Sequence, residues 1–572
     1  MKRFSYALLS VVILTSCVGH EAEFARSLHA PSFADWVLIN GKIITLDSDS
    51  SIKEAVAIKD GLIAAVGTDG EMRRWRGPQT REINLGGRTV IPGLIDSHIH
   101  ATVAGLTWDS DLRWERLRSL AQGLKQIAAA AKTKPIGEWI VVGGGWTPVQ
   151  FAERRLPSRA ELDAAAPKNP VYIQILGQAA LLNSAALNAV GITRESRDPA
   201  GGHFERYAET DEPTGFAVGA GAWKYVYDRL PRPTLDKARL GLRSCFRELN
   251  RLGITSVGDI QDDWVNFAHR RLLNDMARRG ELTLRVNFYM SPNKIEDELE
   301  QLGRAVEEIK QLNQSDLFRF VGFAEVLARG TDDREAASQS KGITISAAAK
   351  DQFRRAVEFA VEGGHNLHLH ATRDNTARQL LDVIEAVNRQ TPLSRSRIGF
   401  AHLEGTTPPT IKRIKKLGGG IAVQSRLLLT GERVLELWGQ EKARNAPPLR
   451  TMVNAGVPLG AGTDAFRSGN YSPMLALWWL VMGKSIAGAQ IRDPKHNLNR
   501  IEALRAHTLG SAWFTGDERK KGSIETGKFA DLAVLNGDYL SVPEERIPAL
   551  ESLLTMVGGR VVYTAGAFAR FQ

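Results

Sequence analysis

Between residues 36 and 90 the apolar residues come in short runs broken by turn formers: WVLINGKIITLD, EAVAIKDGLIAAVG and TREINLGGRTV. Such runs read as strands. Asn40-Gly41 and Asp60-Gly61 are dipeptides that favour tight hairpin turns, because both residues tolerate positive φ. The C-terminal end has the same texture in FADLAVLNGDYL and LTMVGGRVVYTAGAFARF. Two β-rich ends predict one composite β-sandwich, its first part over 34–90 and its second over 526–572, with the long middle of the chain inserted between them.

The middle alternates apolar runs with amphipathic stretches. TVIPGLIDSHIH is followed by GITSVGDI (253–260), LTLRVNFYM (282–290), LFRFVGFAEVL (317–327), HNLHLHA (365–371), RIGFAHLE (397–404), GGIAVQS (419–425) and VPLGAGTD (457–464). Helical patterns such as KDQFRRAVEFAVEG and TARQLLDVIEAVNR separate most of them. Strand alternating with helix predicts a parallel sheet, and eight such units predict an α/β fold of the (β/α)8 barrel type over 91–525. The first and second strands are far apart in sequence, so residues 105–250 are expected to form an inserted subdomain over the barrel mouth.

Length and composition agree with this picture. A chain of 572 residues is too long for one small core. With 43% hydrophobic and 24% charged residues it has the balance of a globular protein rather than a disordered one. The net charge of +10 is spread along the chain. Its densest run, KRIKK at 412–416, sits among helix formers and reads as a solvated face, so no nucleic-acid partner is expected.

The first residues change the picture more. Lys2 and Arg3, a short apolar stretch to Leu14 and then LTSC describe an export signal over 1–16, too short to span a bilayer comfortably. LTSC also resembles the bacterial lipobox, which makes Cys17 the expected lipidated first residue of the mature chain, followed by a tether over 17–33. Ordinary secretion is the alternative. Val18 rather than an aspartate follows the cysteine, which points to an outer-membrane address if the cell is Gram-negative. Cys245, within LRSCFREL, reads as a buried hydrophobe with no disulfide partner in a lipidated mature chain.

Candidate chemistry gathers at strand ends. His98 and His100 are two residues apart, so in a strand they face the same side. They close the first barrel strand, at the end where barrel enzymes build their sites. His370 ends the fifth strand, His402 the sixth and Asp464 the eighth, and Glu325 lies near the end of the fourth. A single histidine at a strand end is usually a hydrogen-bonded structural residue, and His368 is read that way. Asp464, after GAGT, could by itself merely cap a helix. Jointly, four imidazoles and two carboxylates on one rim match the ligand set of Zn²⁺ or a similar divalent ion. Gln424 and Arg426, after the seventh strand, are candidates for gripping substrate, with Arg373 a weaker one. A surface contact at a strand end is the alternative for each.

VIPGLIDSHIH followed by isolated His, His and Asp resembles the amidohydrolase superfamily of metal-dependent hydrolases, and GSIETGKFADLAVL (522–535) is similar to its return into the sandwich. GGGW (143–146), LLNSAAL (181–187), HATRDNTA (370–377), AVQS (422–425) and GTDA (462–465) are similar to the branch containing N-substituted formamide deformylases and exoenzyme-regulatory amidohydrolases. The resemblance covers nearly all of 34–566. It implies a one- or two-ion centre with His98, His100, His370 and His402 as ligands, and Asp464 as a ligand that also takes a proton from the attacking water. Two departures stand out. Many relatives carry a carboxylated lysine on the fourth strand, but no lysine lies between Lys310 and Lys341 here, and Glu325 occupies the matching place. The branch usually shows Gly-His where this chain has Gly177-Gln178; Gln178 can donate a hydrogen bond to a substrate carbonyl but not a proton.

The function expected from these residues is metal-dependent hydrolysis of a non-peptide C–N bond in a small molecule: an amide, a cyclic amide or an N-formyl group. The same site could serve an esterase, lactonase or phosphotriesterase. An exported, non-catalytic binding lipoprotein on a lapsed hydrolase scaffold is the non-enzymatic alternative.

Overall fold

A computed structural model describes residues 33–261, 264–292, 298–333 and 343–571. The expected export signal, Cys17 and nearly all of the tether lie outside the described residues.

Eight strands form one parallel sheet in chain order: β1 (Leu94–Ile99), β2 (Ile254–Gln261), β3 (Arg285–Met290), β4 (Phe318–Glu325), β5 (Asn366–Arg373), β6 (Ile398–Gly405), β7 (Gly420–Gln424) and β8 (Leu459–Gly462). The sheet curls until its edges meet. His98 O accepts from Asp464 N at 2.9 Å, and His100 N donates to Ala465 O at 2.7 Å. Beside them the Asp96 carboxylate takes hydrogen bonds from Thr463 N at 3.1 Å and Thr463 Oγ1 at 2.6 Å. β1 and β2 are buried at every position, as parallel strands covered on both faces must be. Helices supply the outer cover. In Asp374–Gln390, between β5 and β6, the buried residues Ala377, Leu380, Leu381, Ile384 and Val387 recur at helical spacing. The KRIKK run lies on helix Pro408–Lys416, where Arg413 pairs with Asp382 and Glu385.

The run VIPGLIDSHIH is not one strand. Thr89–Pro92 belongs to the sandwich and pairs with Leu532–Leu535, whereas Leu94–Ile99 enters the barrel. Gly93 makes the switch because a Cβ there would lie 2.2 Å from Thr255 Oγ1. The sandwich is composite. One sheet runs Leu62–Gly67, Ala55–Lys59, Trp36–Ile39, Arg81–Asn84; the other runs Arg560–Thr564, Ser552–Val557, Leu532–Leu535, Thr89–Pro92, Lys42–Ile44, Ile52–Lys53. Trp36, Ile58 and Val90 from the first segment share a core with Leu532, Leu554 and Phe568 from the last. Asp60-Gly61 makes the expected hairpin, both residues at positive φ. Asn40-Gly41 does not: it hands the chain from one sheet to the other, since Trp36–Ile39 and Lys42–Ile44 lie in different sheets.

Between β1 and β2 the chain builds a further five-stranded sheet, ordered His203–Arg206, Pro213–Val218, Ala179–Leu182, Val171–Ile175, Ile140–Val142. Trp114, Trp146 and Phe151 anchor a separate core beside it. The GGGW motif sits against the loop after β8. A Cβ on Gly144 would meet Arg467 O at 2.4 Å, and one on Gly145 would meet Gly469 O at 2.8 Å.

Candidate metal centre

Every strand-end group named from the sequence faces one spot at the C-terminal mouth of the barrel. Glu325 Oε1, at the tip of β4, lies 3.2 Å from His98 Nε2, 3.2 Å from His370 Nδ1 and 3.3 Å from His402 Nε2. Asp464 Oδ1 lies 3.3 Å from His100 Nε2 and 3.6 Å from His98 Nε2. Three overlapping groups could each hold an ion: His98, His100 and Glu325; His98, His402 and Asp464; Glu325, His370 and His402. Glu325 belongs to two of them, so it could serve one ion or lie between two.

The residues behind the ring fix how it presents itself. His100 Nδ1 is 3.0 Å from Ile260 O. A carbonyl only accepts, so Nδ1 carries a proton and Nε2 is the nitrogen left to face the site. His370 sets its Nε2 against Asp333 Oδ1 at 3.2 Å and leaves Nδ1 facing Glu325. Asp333 is itself held by Thr372 N at 3.0 Å and Arg373 N at 3.1 Å. His98 Nδ1 meets His368 Nε2 at 3.0 Å. His402 N donates to Gln424 Oε1 at 2.7 Å, which steadies a residue at φ 74. Such second partners orient metal-binding side chains in general.

The electrostatics call for a cation. Burial disfavours a charged imidazole, yet the carboxylates of Glu325 and Asp464 outweigh it and lift His98 to about 10. His370 is lifted to about 9 in the same way by Asp333 and Glu325. Burial would also raise the carboxyls of Glu325 and Asp464, but the surrounding imidazoles hold both well below the usual range. Burial, with His98 adding to it, pushes His368 down to about 3, so His368 is neutral. His98 Nε2 is buried and makes no hydrogen bond among the described residues, although two carboxylates face it. Imidazole nitrogens and carboxylate oxygens brought together in this way fit a divalent ion of the zinc type.

The three residues expected to face substrate end differently. Gln424 commits Oε1 to the His402 backbone. Arg426 places Nε 3.2 Å from Glu404 Oε1 and Nη1 3.7 Å from Asp464 Oδ2. Gln178 is exposed at the tip of the hairpin between Val171–Ile175 and Ala179–Leu182, where its neighbour Gly177 approaches Ser468 in the loop after β8. Sequence reasoning missed Asp333 and Glu404. It also missed the cavity beside His100, walled by Val103, Val141, Tyr172, Tyr227, Phe466 and Arg467. In that wall an Arg467 N–H donates to Tyr227 Oη at 2.7 Å.

Comparison with known proteins agrees with the geometry. An amidohydrolase family model matches residues 81–563. An N-substituted formamide deformylase from Arthrobacter pascens is 30% identical over 92% of this chain and 98% of its own. The protein LONG AFTER FAR-RED 3 of Arabidopsis thaliana is 26% identical over 98% and 97%. The crystal structure of a metal-dependent hydrolase from Pyrococcus furiosus superposes with a TM-score of 0.66 at 23% identity, covering 88% of this chain and all of that one. With the metal-ready rim of the barrel and a family match over most of its length, the chain belongs to the amidohydrolase family of metal-dependent hydrolases.

Proposed function

We propose that this amidohydrolase opens a non-peptide carbon–nitrogen bond in a small molecule: an amide, a cyclic amide or an N-formyl group. The observation that carries the reading is the convergence of His98, His100, His370, His402, Glu325 and Asp464 on one point of the barrel mouth. The deformylase relative supports the choice of bond, since its substrate, by name, is an N-substituted formamide.

In this reading the four histidines and two carboxylates hold one or two divalent ions, taken as zinc from the donor types. When bound, such a cation lowers the pKa of a water from about 15.7 to about 7 and polarises the substrate carbonyl. The protein does the rest. Asp464 is ionised at rest because His100 and His98 outweigh its burial, so it starts as a base. It accepts the proton of the attacking water and passes it to the leaving nitrogen. The cavity beside His100 takes the body of the substrate against Val103, Val141 and Phe466, while Arg467 and Tyr227 supply polar contacts. Gln178, on the hairpin over the mouth, offers an amide N–H where the branch offers an imidazole.

Zinc-loaded protein assayed at neutral pH against formamides, amides, lactams and carboxylic and phosphate esters tests the assignment. Turnover of an amide or formamide is expected. Turnover confined to esters would move the protein to the esterase reading, and no turnover by fully loaded protein would overturn catalysis of this kind.

We further propose that the chain is exported and anchored through lipidated Cys17, from Lys2, Arg3 and LTSC. One acyl chain binds a membrane only marginally, whereas a lipoprotein carries more than one. Mass spectrometry of the mature N-terminus should find modified Cys17 as the first residue; an unmodified start or a cut elsewhere would refute it.

A further inference from the structure

Three neighbouring strands each deliver a charged group to the same stretch of the barrel rim. Glu404 stands two residues after His402 in β6, Arg426 two after Gln424 of β7, and Asp464 two after Gly462 of β8. The Arg426 guanidinium bridges the two carboxylates, with Nε 3.2 Å from Glu404 Oε1 and Nη1 3.7 Å from Asp464 Oδ2. Glu404 is 3% exposed, and neither of its oxygens accepts a hydrogen bond among the described residues. A buried carboxylate without hydrogen bonds is retained only beside a counter-charge, and Arg426 is its ion-pair partner.

The two oxygens of Asp464 are thereby divided. Oδ1 faces His98 and His100, and Oδ2 faces Arg426. The charge count is equally telling. A guanidinium paired with a carboxylate on each side has no spare charge of its own for an anionic substrate. We infer that Arg426 is a positioning residue, tethered by Glu404, that fixes which oxygen of Asp464 faces the histidines. This rests on the proposed role of Asp464 as the proton carrier. Lysine is a poor substitute, because a single ammonium lacks the planar fork that reaches both carboxylates at once.

Three variants test it: Arg426→Lys, Glu404→Gln, and the double variant Arg426→Met with Glu404→Gln, which removes the pair without leaving Glu404 a buried charge with no partner. Each is read by metal affinity of the metal-free protein in a chelator competition, by melting temperature, and by kcat and KM on an amide that the native enzyme turns over. The double variant should fold, lose about 10–100-fold in metal affinity as a misdirected ligand does, and lose on the order of 100-fold in kcat from a displaced proton carrier, with KM within about threefold. Arg426→Lys should fold and show the same pattern more weakly. A rise in KM with kcat unchanged would make Arg426 a substrate grip and overturn the inference. So would native metal affinity in a folded double variant. That affinity arm needs no substrate, so it stands even if the amide assignment fails.

Discussion

His98 and His368 stand ring against ring, with Nδ1 of the first 3.0 Å from Nε2 of the second and the ring centroids 5.1 Å apart. Burial keeps His368 neutral, so it can accept the Nδ1 proton of His98 and leave His98 Nε2 aimed at Glu325 and Asp464. Metal-binding histidines more often lean on a carboxylate or a carbonyl. A neutral imidazole in that place fixes the tautomer without adding negative charge to a site that already holds two carboxylates.

Replacing His368 with Phe should therefore weaken metal binding by about 10–100-fold while the packing against Tyr289 and Phe514 survives. Chelator competition measures the affinity and a thermal melt checks the packing. Native affinity in a folded variant would reduce His368 to a filler of space.

Asp464→Asn should abolish turnover with little loss of folding. The amide keeps the shape, cannot accept the water's proton and binds metal more weakly. Steady-state kinetics and melting of both proteins decide it; near-native kcat would remove Asp464 from the mechanism.

Metal binding should release protons. His98 and His370, at about 10 and about 9 in the metal-free protein, are both protonated at pH 7 and must lose those protons to act as ligands. Calorimetry in buffers of different ionisation enthalpy should give about two protons released by this pair at pH 7, falling to about half a proton near pH 10 and towards none above about pH 11. The sign for stability follows from the same shifts. Both values lie above the ordinary 6.5, so their contribution to the metal-free fold is complete below about pH 6.5 and is lost as pH rises through 9 to 10.

At the opposite end of the barrel, Arg285 on β3 donates to Asp531 from Nε at 2.7 Å and Nη2 at 3.0 Å, both groups buried, and Asp531 leads into the sandwich strand Leu532–Leu535. Asp531→Ala strands a buried guanidinium and should cost about 3–5 kcal/mol. Arg285→Met in the same chain should restore part of that loss in denaturant unfolding. No restoration would mean that Asp531 acts mainly through its bond from Gly558 N.

Much of this was legible because of how parallel strands are buried. Covered on both faces, they leave continuous apolar runs, so all eight barrel strands could be found, and the ligand candidates stood out as the polar residues that end those runs. What the sequence hid is what tertiary contact decides. Asn40-Gly41 reads as a hairpin turn, but the strands on either side of it pair in different sheets. Asp333 sits in a stretch with no periodicity and meets His370 only because the loop after β4 folds over β5. Arg426 was visible as a charge after a strand; that two carboxylates flank it depends on the register of β6, β7 and β8.

The central claim is that Glu325 completes a metal centre with the four histidines and Asp464. A crystal structure of the zinc-loaded protein, with the ion located by anomalous scattering, tests it most directly. The expected result is an anomalous peak within the group His98, His100 and Glu325 or the group Glu325, His370 and His402, with a Glu325 carboxylate oxygen roughly 2.0–2.2 Å from the ion. A fully occupied zinc elsewhere, or a Glu325 turned away from it into a salt bridge, would contradict the claim.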